Sequence, residues 1–448
     1  MTETPAPHRL GIAPATEAVA VVQDLFAGLA DPVLTSMTLL NEIVGRYPGA
    51  VSFAAGRPFE GFYEVAAAHR YLDRFCGYLR DDLGWSEEQV CRTLFQYHRT
   101  KGTIHELVVR QLAQDEGLTV DPEAVVVTTG CQEAMILVLR ALRAGPKDVI
   151  FTSVPTYVGF LGAARLVEVQ LRPIPEHPGG MDLDALRRDI RKARAEGLRP
   201  RACYVVPDFA NPSGTNMSSA ARRELVELAE REDILLLEDN PYGILAERRI
   251  PTLKSIDPGG RVVYFGTFAK SVFAGARVGY VVADQRTGDG GLFADELAKI
   301  KSMLTLNTSS VAQAVIGGFL LEHGCSLRTA VRREAELYRR NQRRLLAALD
   351  RHFPRAGPLA DVTWNVPAGG MFLVLTLPFA ADEALLARSA AEFGVLWTPM
   401  YHFYGGCGGA RQLRLSFSVV TADEIDTGIE RLAALVADEL GRTCVAAA

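Results

Sequence analysis

Two charged residues follow apolar segments, where an unpaired charge is costly. Lys270 comes after VVYFG in the sequence GTFAK, and Asp239 closes the apolar run ILLLED. A second cation, Arg277, lies seven residues beyond Lys270. Because a buried lysine beside another cation has a lowered pKa, its amine can attack a carbonyl group and form a Schiff base. A buried carboxylate needs a partner, and a protonated pyridine nitrogen would serve, which would make that ring an electron acceptor.

Turn residues elsewhere in the chain could hold the rest of such a ring compound. The sequence TTGCQ joins a predicted strand to a predicted helix, so the backbone N–H groups of Gly130, Cys131 and Gln132 would face an anion at the helix N-terminus. Asn211, in the turn NPSG, and Tyr242 could both contact a phenolic oxygen of the ring. The sequence therefore predicts a phosphate site close to the charged pair.

Alternating strands and helices must position these groups. Short β-branched runs recur at 124–128, 149–152, 167–174, 203–207, 234–238, 262–266 and 278–283. Helical periodicity lies between several of them, as at 132–143 and 218–231. This alternation predicts an α/β fold with a mostly parallel sheet, whose ligands collect at the carboxyl ends of the strands. After about residue 310 the pattern changes to helices, two strands and a C-terminal helix, which predicts a smaller α+β domain.

Composition narrows the class of protein. The 448 residues are 48% hydrophobic and 23% charged, as in a globular enzyme. The formal net charge of −5 gives no general attraction for nucleic acid or anionic membranes, and we interpret the basic runs at 187–201 and 332–344 as solvated helix faces with i,i+4 ion pairs. The seven cysteines are widely separated and form no CxxC pair, and no secretory signal or membrane-spanning run is evident. We expect a soluble cytoplasmic protein with no metal site.

The motifs, in this order, resemble those of fold type I PLP-dependent aminotransferases of class I and II over roughly residues 33–440. The resemblance implies pyridoxal 5'-phosphate as cofactor, Lys270 as its Schiff-base lysine and Asp239 as the partner of the pyridine nitrogen. It also implies a homodimer with active sites at the subunit interface. By the same resemblance, Tyr157 would stack on the cofactor ring, Asn211 and Tyr242 would contact its phenolic oxygen, and Thr267 and Arg277 would bind its phosphate. Tyr97 would reach the phosphate of the neighbouring subunit, and Arg414 would bind the substrate carboxylate.

Some positions depart from the family pattern or leave alternatives open. Ala269 stands where serine is common, and Ala210 where glutamine often precedes Asn-Pro. Cys131 stands where serine or alanine is common, and we expect it to act through its N–H, with a reactive thiol as the alternative. Arg411 is the rival of Arg414, although it lies outside the LRLSFS pattern. None of these departures removes a group that the chemistry requires.

The resemblance also divides the chain and implies its reaction. We expect a flexible tail at 1–30, a segment at 31–94 that covers the active site, a large cofactor-binding domain at 95–310 and a small domain at 311–448. In each of two half-reactions Lys270 would move a proton between the substrate α-carbon and the cofactor. A β-lyase or decarboxylase is an alternative with the same cofactor site. A ligand-sensing aminotransferase-like domain is the alternative from another class, but it would need a DNA-binding segment ahead of it.

The N-terminal segment AVSFAAGRP resembles the subgroup of 2-aminoadipate and kynurenine aminotransferases. Within this subgroup, the run LTSMTLLNEIVGRYPGAVSFAAGRPFEGFY together with LFQYHRTKG is similar to the dihydroxyphenylglycine type from antibiotic pathways. Gly56 and Arg57 of this segment, together with Asn211, are expected to contact substrate, and Arg57 could hold a distal carboxylate. An aromatic lid could surround an aryl side chain, or the same rings could pack a domain interface. The candidates for the lid and for contacts to ring hydroxyls are Phe59, Phe62, Tyr63, His98 and the YHFY cluster at 401–404, which includes His402.

Overall fold

An eight-stranded sheet and a four-stranded sheet organise the chain in the computed structural model, which describes residues 26–406 and 408–446. The strands are β1 Val51–Ser52, β2 Val125–Thr128, β3 Asp148–Val154, β4 Gln170–His177, β5 Gly180–Met181, β6 Arg199–Val205, β7 Leu235–Asp239, β8 Val262–Thr267, β9 Gly279–Val282, β10 Thr363–Trp364, β11 Phe372–Thr376, β12 Val395–Leu396, β13 Thr398–Pro399 and β14 Gln412–Ser416.

The helices flank these sheets. They are α1 Pro32–Arg46, α2 Val65–Gly77, α3 Glu87–Phe95, α4 His105–Glu116, α5 Gly130–Leu142, α6 Val158–Leu166, α7 Leu183–Ala195, α8 Ser219–Arg231, α9 Phe293–Leu304, α10 Ser310–Glu322, α11 Leu327–Ala330, α12 Arg332–His352, α13 Glu383–Arg388 and α14 Ala422–Ala446. No helix in these described ranges is long and apolar enough to cross a membrane.

The large sheet has the order β2-β9-β8-β7-β6-β3-β4-β5. Strands β8, β7, β6, β3 and β4 pair in parallel, whereas β9 is antiparallel to both of its neighbours and β5 is antiparallel to β4. The side chains of β2 and β9 are buried throughout, and β7 and β8 each have one half-buried residue at an end. Burial on both faces explains their continuous runs of Val, Ile and Leu. The expected α/β fold with a mostly parallel sheet is confirmed.

The four-stranded sheet is antiparallel and has the order β10-β11-β14-β13. Near it, β1 pairs in parallel with β12, so the segment that begins near residue 50 packs beside the C-terminal elements. Helix α10 packs closely against α2 at Gly318. A Cβ atom added at this glycine would come within 1.7 Å of the Tyr71 carbonyl oxygen. The absence of a side chain at Gly318 therefore sets the closeness of this helix pair.

Some local predictions need correction. The strand expected at 167–174 begins only at Gln170, because Glu168 has a left-handed backbone (φ 55°) that separates it from α6. Residues 199–201 belong to β6 rather than to a helix, and Arg199 pairs with Asp148 at 2.6 Å. Of the tail expected at 1–30, residues 1–25 lie outside the described residues, and Ala27–Ala30 form a 3-10 turn.

The basic helix faces carry the expected ion pairs in part. In α7, Arg187 pairs with Asp184 three residues earlier at 2.6 Å, and Lys192 pairs with Glu196 at 3.9 Å. In α12, Arg344 instead pairs with Asp426 of α14. The latter contact joins two helices, so this basic run also contributes to tertiary packing.

Candidate active site

A cavity of about 610 Å³ lies where the carboxyl ends of the parallel strands face the four-stranded sheet. Asp239 comes from the end of β7 and Lys270 from the turn after β8, while Arg414 comes from β14 of the other sheet. Twelve of the residues expected in the site line this cavity: Gly56, Arg57, Cys131, Gln132, Tyr157, Asn211, Asp239, Tyr242, Thr267, Lys270, Arg277 and Arg414. The structure thus brings together residues that are more than 350 positions apart in the sequence.

Lys270 lies among other cations. Its Nζ donates a hydrogen bond to the Gly56 carbonyl oxygen at 2.6 Å. Burial, followed by the charges of Arg414 and Arg277, lowers the pKa of Lys270 to about 8, and Asp239 opposes this shift. A lysine with such a pKa is partly neutral near physiological pH, and its neutral fraction can act as a nucleophilic amine and a general base.

Asp239 is buried and has one free oxygen. Its Oδ2 accepts a hydrogen bond from the Tyr204 hydroxyl at 2.7 Å, whereas Oδ1 is buried without a partner among the described residues. Burial raises the pKa of Asp239 to about 6, and the bond from Tyr204 and the charge of Lys270 hold it from rising further. A buried unpaired carboxylate oxygen is costly, so this atom is suited to a donor from a ligand, such as a protonated ring nitrogen.

An anion site is built at the N-terminus of α5. This helix begins at Gly130, and Cys131 and Gln132 of its first turn line the cavity together with Arg277. Gly130 has a φ of 73°, and a Cβ atom added there would lie 2.5 Å from an Nη atom of Arg277. A guanidinium beside the positive end of a helix favours an anion that contacts both, and a phosphate suits this arrangement.

The environment of the Cys131 side chain does not favour a nucleophilic thiol. Its Sγ donates to the Gly266 carbonyl oxygen at 3.3 Å, and burial raises the pKa of its thiol well above the ordinary value. A thiol in that state is a poor nucleophile. Thr267, at the end of β8, accepts a hydrogen bond from the Ala269 N–H at 3.1 Å, so its hydroxyl hydrogen is free to meet an anion.

Arg414 is almost completely buried, with 4% of its surface exposed. Its two terminal nitrogens donate to Asn211 Oδ1 at 2.6 Å and to the Ala54 carbonyl oxygen at 2.8 Å, but its Nε has no partner among the described residues. The guanidinium also lies 4.4 Å from the Phe372 ring centre. None of these neighbours is a carboxylate, and burial lowers the pKa of Arg414 to about 10. The group is therefore a buried cation placed to receive an anionic ligand.

Two tyrosines form a wall of the cavity. Tyr242 is 3% exposed and packs edge-on against Phe372 at 5.8 Å. Burial raises the pKa of Tyr242, and a hydrogen bond from Asn211 opposes that rise. Burial also raises the pKa of Tyr157 to about 12. Both phenols are therefore neutral at physiological pH and can donate hydrogen bonds or stack on a ring.

The proposed substrate-side residues line the cavity and differ in exposure. Arg57 is about half exposed and is 3.7 Å from Glu60. The Gly56 backbone lies against Phe372, whose ring would be 2.8 Å from an added Cβ atom. Phe403 of the YHFY cluster lines the cavity.

Other aromatic candidates pack elsewhere. Phe59 and Phe62 contact each other at 4.9 Å, and Arg333 covers the Phe62 ring. Tyr63 meets Phe273 edge-on. His402 is bonded through Nδ1 to Ser36 at 2.7 Å, Tyr401 donates to Glu383, and His98 accepts from the Arg99 N–H. These contacts favour packing over a lid for most of the cluster.

Two expected residues lie away from the cavity. Tyr97 is 82% exposed, next to Phe95 at 72% exposure, and lines a shallow depression with residues 305–307. Arg411, the rival of Arg414, is exposed and precedes β14. Sequence reasoning missed Tyr204, although a tyrosine in the buried run ACYVV signals a need for a hydrogen-bond partner. No cluster of three or more potential metal ligands occurs among the residues that the structure describes.

Known proteins resemble this chain over most of its length. Residues 85–432 match the family described as aminotransferase class I and II. An (S)-3,5-dihydroxyphenylglycine transaminase from Amycolatopsis orientalis is 51% identical, covering 94% of this chain and 95% of that protein. A 2-aminoadipate transaminase from Thermus thermophilus is 30% identical, covering 86% and 89% of the two chains. The structure of a Pyrococcus horikoshii kynurenine aminotransferase in complex with PMP superposes with a TM-score of 0.76 at 28% identity, covering 90% and 94%.

The lowered pKa of Lys270 should appear in the stability of the ligand-free protein. Between pH 7.5 and 9.5 the folded lysine loses its proton, with a pKa of about 8, while the unfolded lysine keeps it, so the unfolded state binds more protons and stability rises with pH. Lys270→Met should remove about 1 to 2 kcal/mol of that rise, which allows for partial solvent screening. Urea denaturation at the two pH values measures it, with the exposed Lys299→Met as control; equal slopes for Lys270→Met and wild type would contradict the lowered pKa.

Proposed function

The chain belongs to the class I and II aminotransferases, and from that premise we propose that it exchanges an amino group between an arylglycine or aromatic amino acid and a 2-oxo acid such as 2-oxoglutarate. It is a pyridoxal 5'-phosphate enzyme, as its family is. The excess of cations over carboxylates in the cavity carries the proposal for the site, since Lys270, Arg277 and Arg414 line it with a single carboxylate, Asp239. A phosphate and a substrate carboxylate are the two anions that this reaction brings to it.

The residues present fit the cofactor. Pyridoxal 5'-phosphate supplies an aldehyde and a ring that withdraws electrons from the substrate when its nitrogen is protonated. The unpaired Oδ1 of Asp239 would hold that nitrogen's proton. Asn211 and Tyr242 would hold the phenolic oxygen, and Tyr157 would stack on the ring. The phosphate would be held by the backbone of Gly130, Cys131 and Gln132 and by the side chains of Thr267 and Arg277.

Two residues act on the substrate in this proposal. Arg414 binds the carboxylate of donor and acceptor alike, since its guanidinium is buried and has no carboxylate partner in the described residues. Lys270 Nζ would take the proton from the substrate α-carbon and deliver it to C4' of the cofactor, the carbon of its aldehyde group. Burial, followed by the charges of Arg414 and Arg277, lowers the pKa of Lys270 and keeps its amine partly neutral, so it can act as this base.

Lys270 should be the site of covalent attachment. Borohydride treatment of the purified holoenzyme should fix the cofactor to Lys270, and Lys270→Ala should abolish this labelling and amino transfer. Mass spectrometry of the labelled peptide identifies the lysine, and the exposed Lys299→Ala serves as control. Attachment to Lys254 in the wild-type protein would contradict the assignment.

Arg414 should matter equally for both substrates. Arg414→Ala should reduce kcat/KM for donor and for acceptor by an amount equivalent to about 2 to 5 kcal/mol, the usual cost of truncating a buried charge pair. The matched control is Arg411→Ala, because Arg411 is an exposed arginine three positions away on the same segment. Steady-state kinetics with each substrate varied in turn measures the effect. Loss confined to one substrate, or a larger loss in Arg411→Ala, would contradict the role of Arg414.

A second subunit completes the site in our proposal. The exposed Tyr97 and Phe95 form an apolar surface with Leu306, which a homodimer would cover, and Tyr97 would then reach the phosphate in the neighbouring subunit.

The division of the chain at 1–30, 31–94, 95–310 and 311–448 belongs to the same proposal. So do a cytoplasmic location and a role in making antibiotic precursors, which rests on the relative from Amycolatopsis orientalis.

The lining of the cavity favours an aryl side chain but leaves a second candidate. Phe403 offers an apolar surface, and the relative with 51% identity acts on dihydroxyphenylglycine. Arg57 favours 2-aminoadipate as the second candidate, because its ion pair with Glu60 is exposed and weak enough to be exchanged for a substrate carboxylate.

A donor screen decides between them. Single-turnover formation of pyridoxamine phosphate should be faster with arylglycines and aromatic amino acids than with 2-aminoadipate or branched aliphatic donors. Arg57→Ala should slow the dicarboxylate donors and leave arylglycines nearly unchanged, since their side chains carry no charge for Arg57. A clear preference of the wild-type protein for 2-aminoadipate would overturn the aryl assignment and leave the aminotransferase activity in place.

A further inference from the structure

We propose that Tyr204 is a positioning residue for Asp239: its hydroxyl holds one carboxylate oxygen, so that the other faces the cavity. This inference rests on the proposed role of Asp239 as the partner of the cofactor ring nitrogen. Tyr204 lies on β6, one strand away from Asp239 on β7, and it stands behind the carboxylate rather than in the cavity wall. It therefore acts through Asp239.

The geometry leaves a single oxygen available. The Tyr204 hydroxyl donates to Asp239 Oδ2 at 2.7 Å, and both residues are buried. Oδ1 of the same carboxylate is buried and has no partner among the described residues. Because one oxygen is fixed from behind and the other is unpaired, the carboxylate presents one acceptor to a ligand. A ring N–H has one proton to give, so the two groups match.

The donor is itself held in place. The Tyr204 ring stacks on the Phe160 ring with 3.7 Å between ring centres and 9° between planes. In the parallel ladder Tyr204 is opposite Leu237, two residues before Asp239. Burial raises the pKa of Tyr204 well above its ordinary value, so the phenol keeps its proton and remains a donor. A rigid, neutral donor is what fixes the direction of a carboxylate.

The hydrogen bond from Tyr204 also affects the protonation state of Asp239. Burial disfavours the ionised form, while the Tyr204 hydrogen bond and the positive charge of Lys270 favour it. Loss of the hydroxyl should thus raise the pKa of Asp239. At pH 8 the carboxylate would still be ionised, whereas near pH 6 it would carry a proton and lose its attraction for a protonated ring nitrogen. The signature of this role is a loss of cofactor affinity that depends on pH.

Tyr204→Phe removes the hydroxyl and keeps the ring that stacks on Phe160. Equilibrium dialysis of cofactor-free protein with pyridoxal 5'-phosphate, from pH 5.5 to 8.5, should show the acid midpoint of binding raised by about one unit, since one hydrogen bond to a charged group is worth at least one pKa unit. With the wild-type midpoint near the Asp239 pKa of about 6, affinity should fall about fivefold at pH 6 and little at pH 8. The matched control is Tyr264→Phe, which removes a buried hydroxyl on the adjacent strand β8 that lies near Asn240.

Two further variants complete the test. Asp239→Asn should abolish the acid midpoint, and adding Tyr204→Phe to it should cause no further loss if Tyr204 acts through Asp239. Substituting difluorotyrosine for Tyr204, which keeps the fold and makes a stronger donor, should move the midpoint to lower pH. An unchanged midpoint, or an equal loss of affinity at every pH, would overturn the inference. Unweakened cofactor binding in Asp239→Asn would instead overturn the proposed role of Asp239 itself.

Discussion

Three cations, Lys270, Arg277 and Arg414, surround one buried carboxylate, Asp239, and the rest of the site depends on this imbalance of charge. Arg414 is removed from water and Lys270 partly so, which is costly unless anions or dipoles compensate. Backbone carbonyls compensate in part, as Gly56 does for Lys270. The remainder has to come from ligands that carry negative charge. Burial is the main cause of the lowered pKa of Lys270, and the neighbouring cations that add to this shift also suit the cavity for phosphate and carboxylate groups.

The charges come together only when the two sheets meet. Lys270 follows β8 of the eight-stranded sheet, whereas Arg414 lies on β14 of the four-stranded sheet. The short segment at 54–56 contacts both, through the Ala54 carbonyl with Arg414 and the Gly56 carbonyl with Lys270. A bond from Arg414 to Asn211 adds a direct link between the sheets. Formation of the site is thus coupled to the packing of one sheet against the other, which explains why separate parts of the chain are needed for it.

Sequence patterns revealed the charged residues of the site more readily than its uncharged ones. Asp239 and Lys270 each follow an apolar run, and a charge in that setting signals a function because burial without a partner is costly. Tyr204 was missed because its partner depends on the register between β6 and β7, which one sequence does not state. The strand expected at 167–174 starts later in the structure because Glu168 adopts a left-handed backbone conformation. This conformation usually indicates a glycine, and Glu168 gives no such signal in the sequence. Local composition cannot reveal such a turn.

The aromatic residues mark the limit of local patterns and bear on specificity. Phe403 and its neighbours look alike in sequence, yet Phe403 lines the cavity while His402 bonds to Ser36 on α1. In the proposed reaction Arg414 serves both substrates, so other residues of the cavity have to select the side chain. The buried, apolar Phe403 suits a neutral aryl group while the exposed Arg57 stays paired with Glu60. Because exposed ion pairs contribute at most about 1 kcal/mol, the same arginine can exchange Glu60 for the distal carboxylate of 2-oxoglutarate at little cost. One cavity can thus alternate between an uncharged donor and a dicarboxylate acceptor without a change in the buried site.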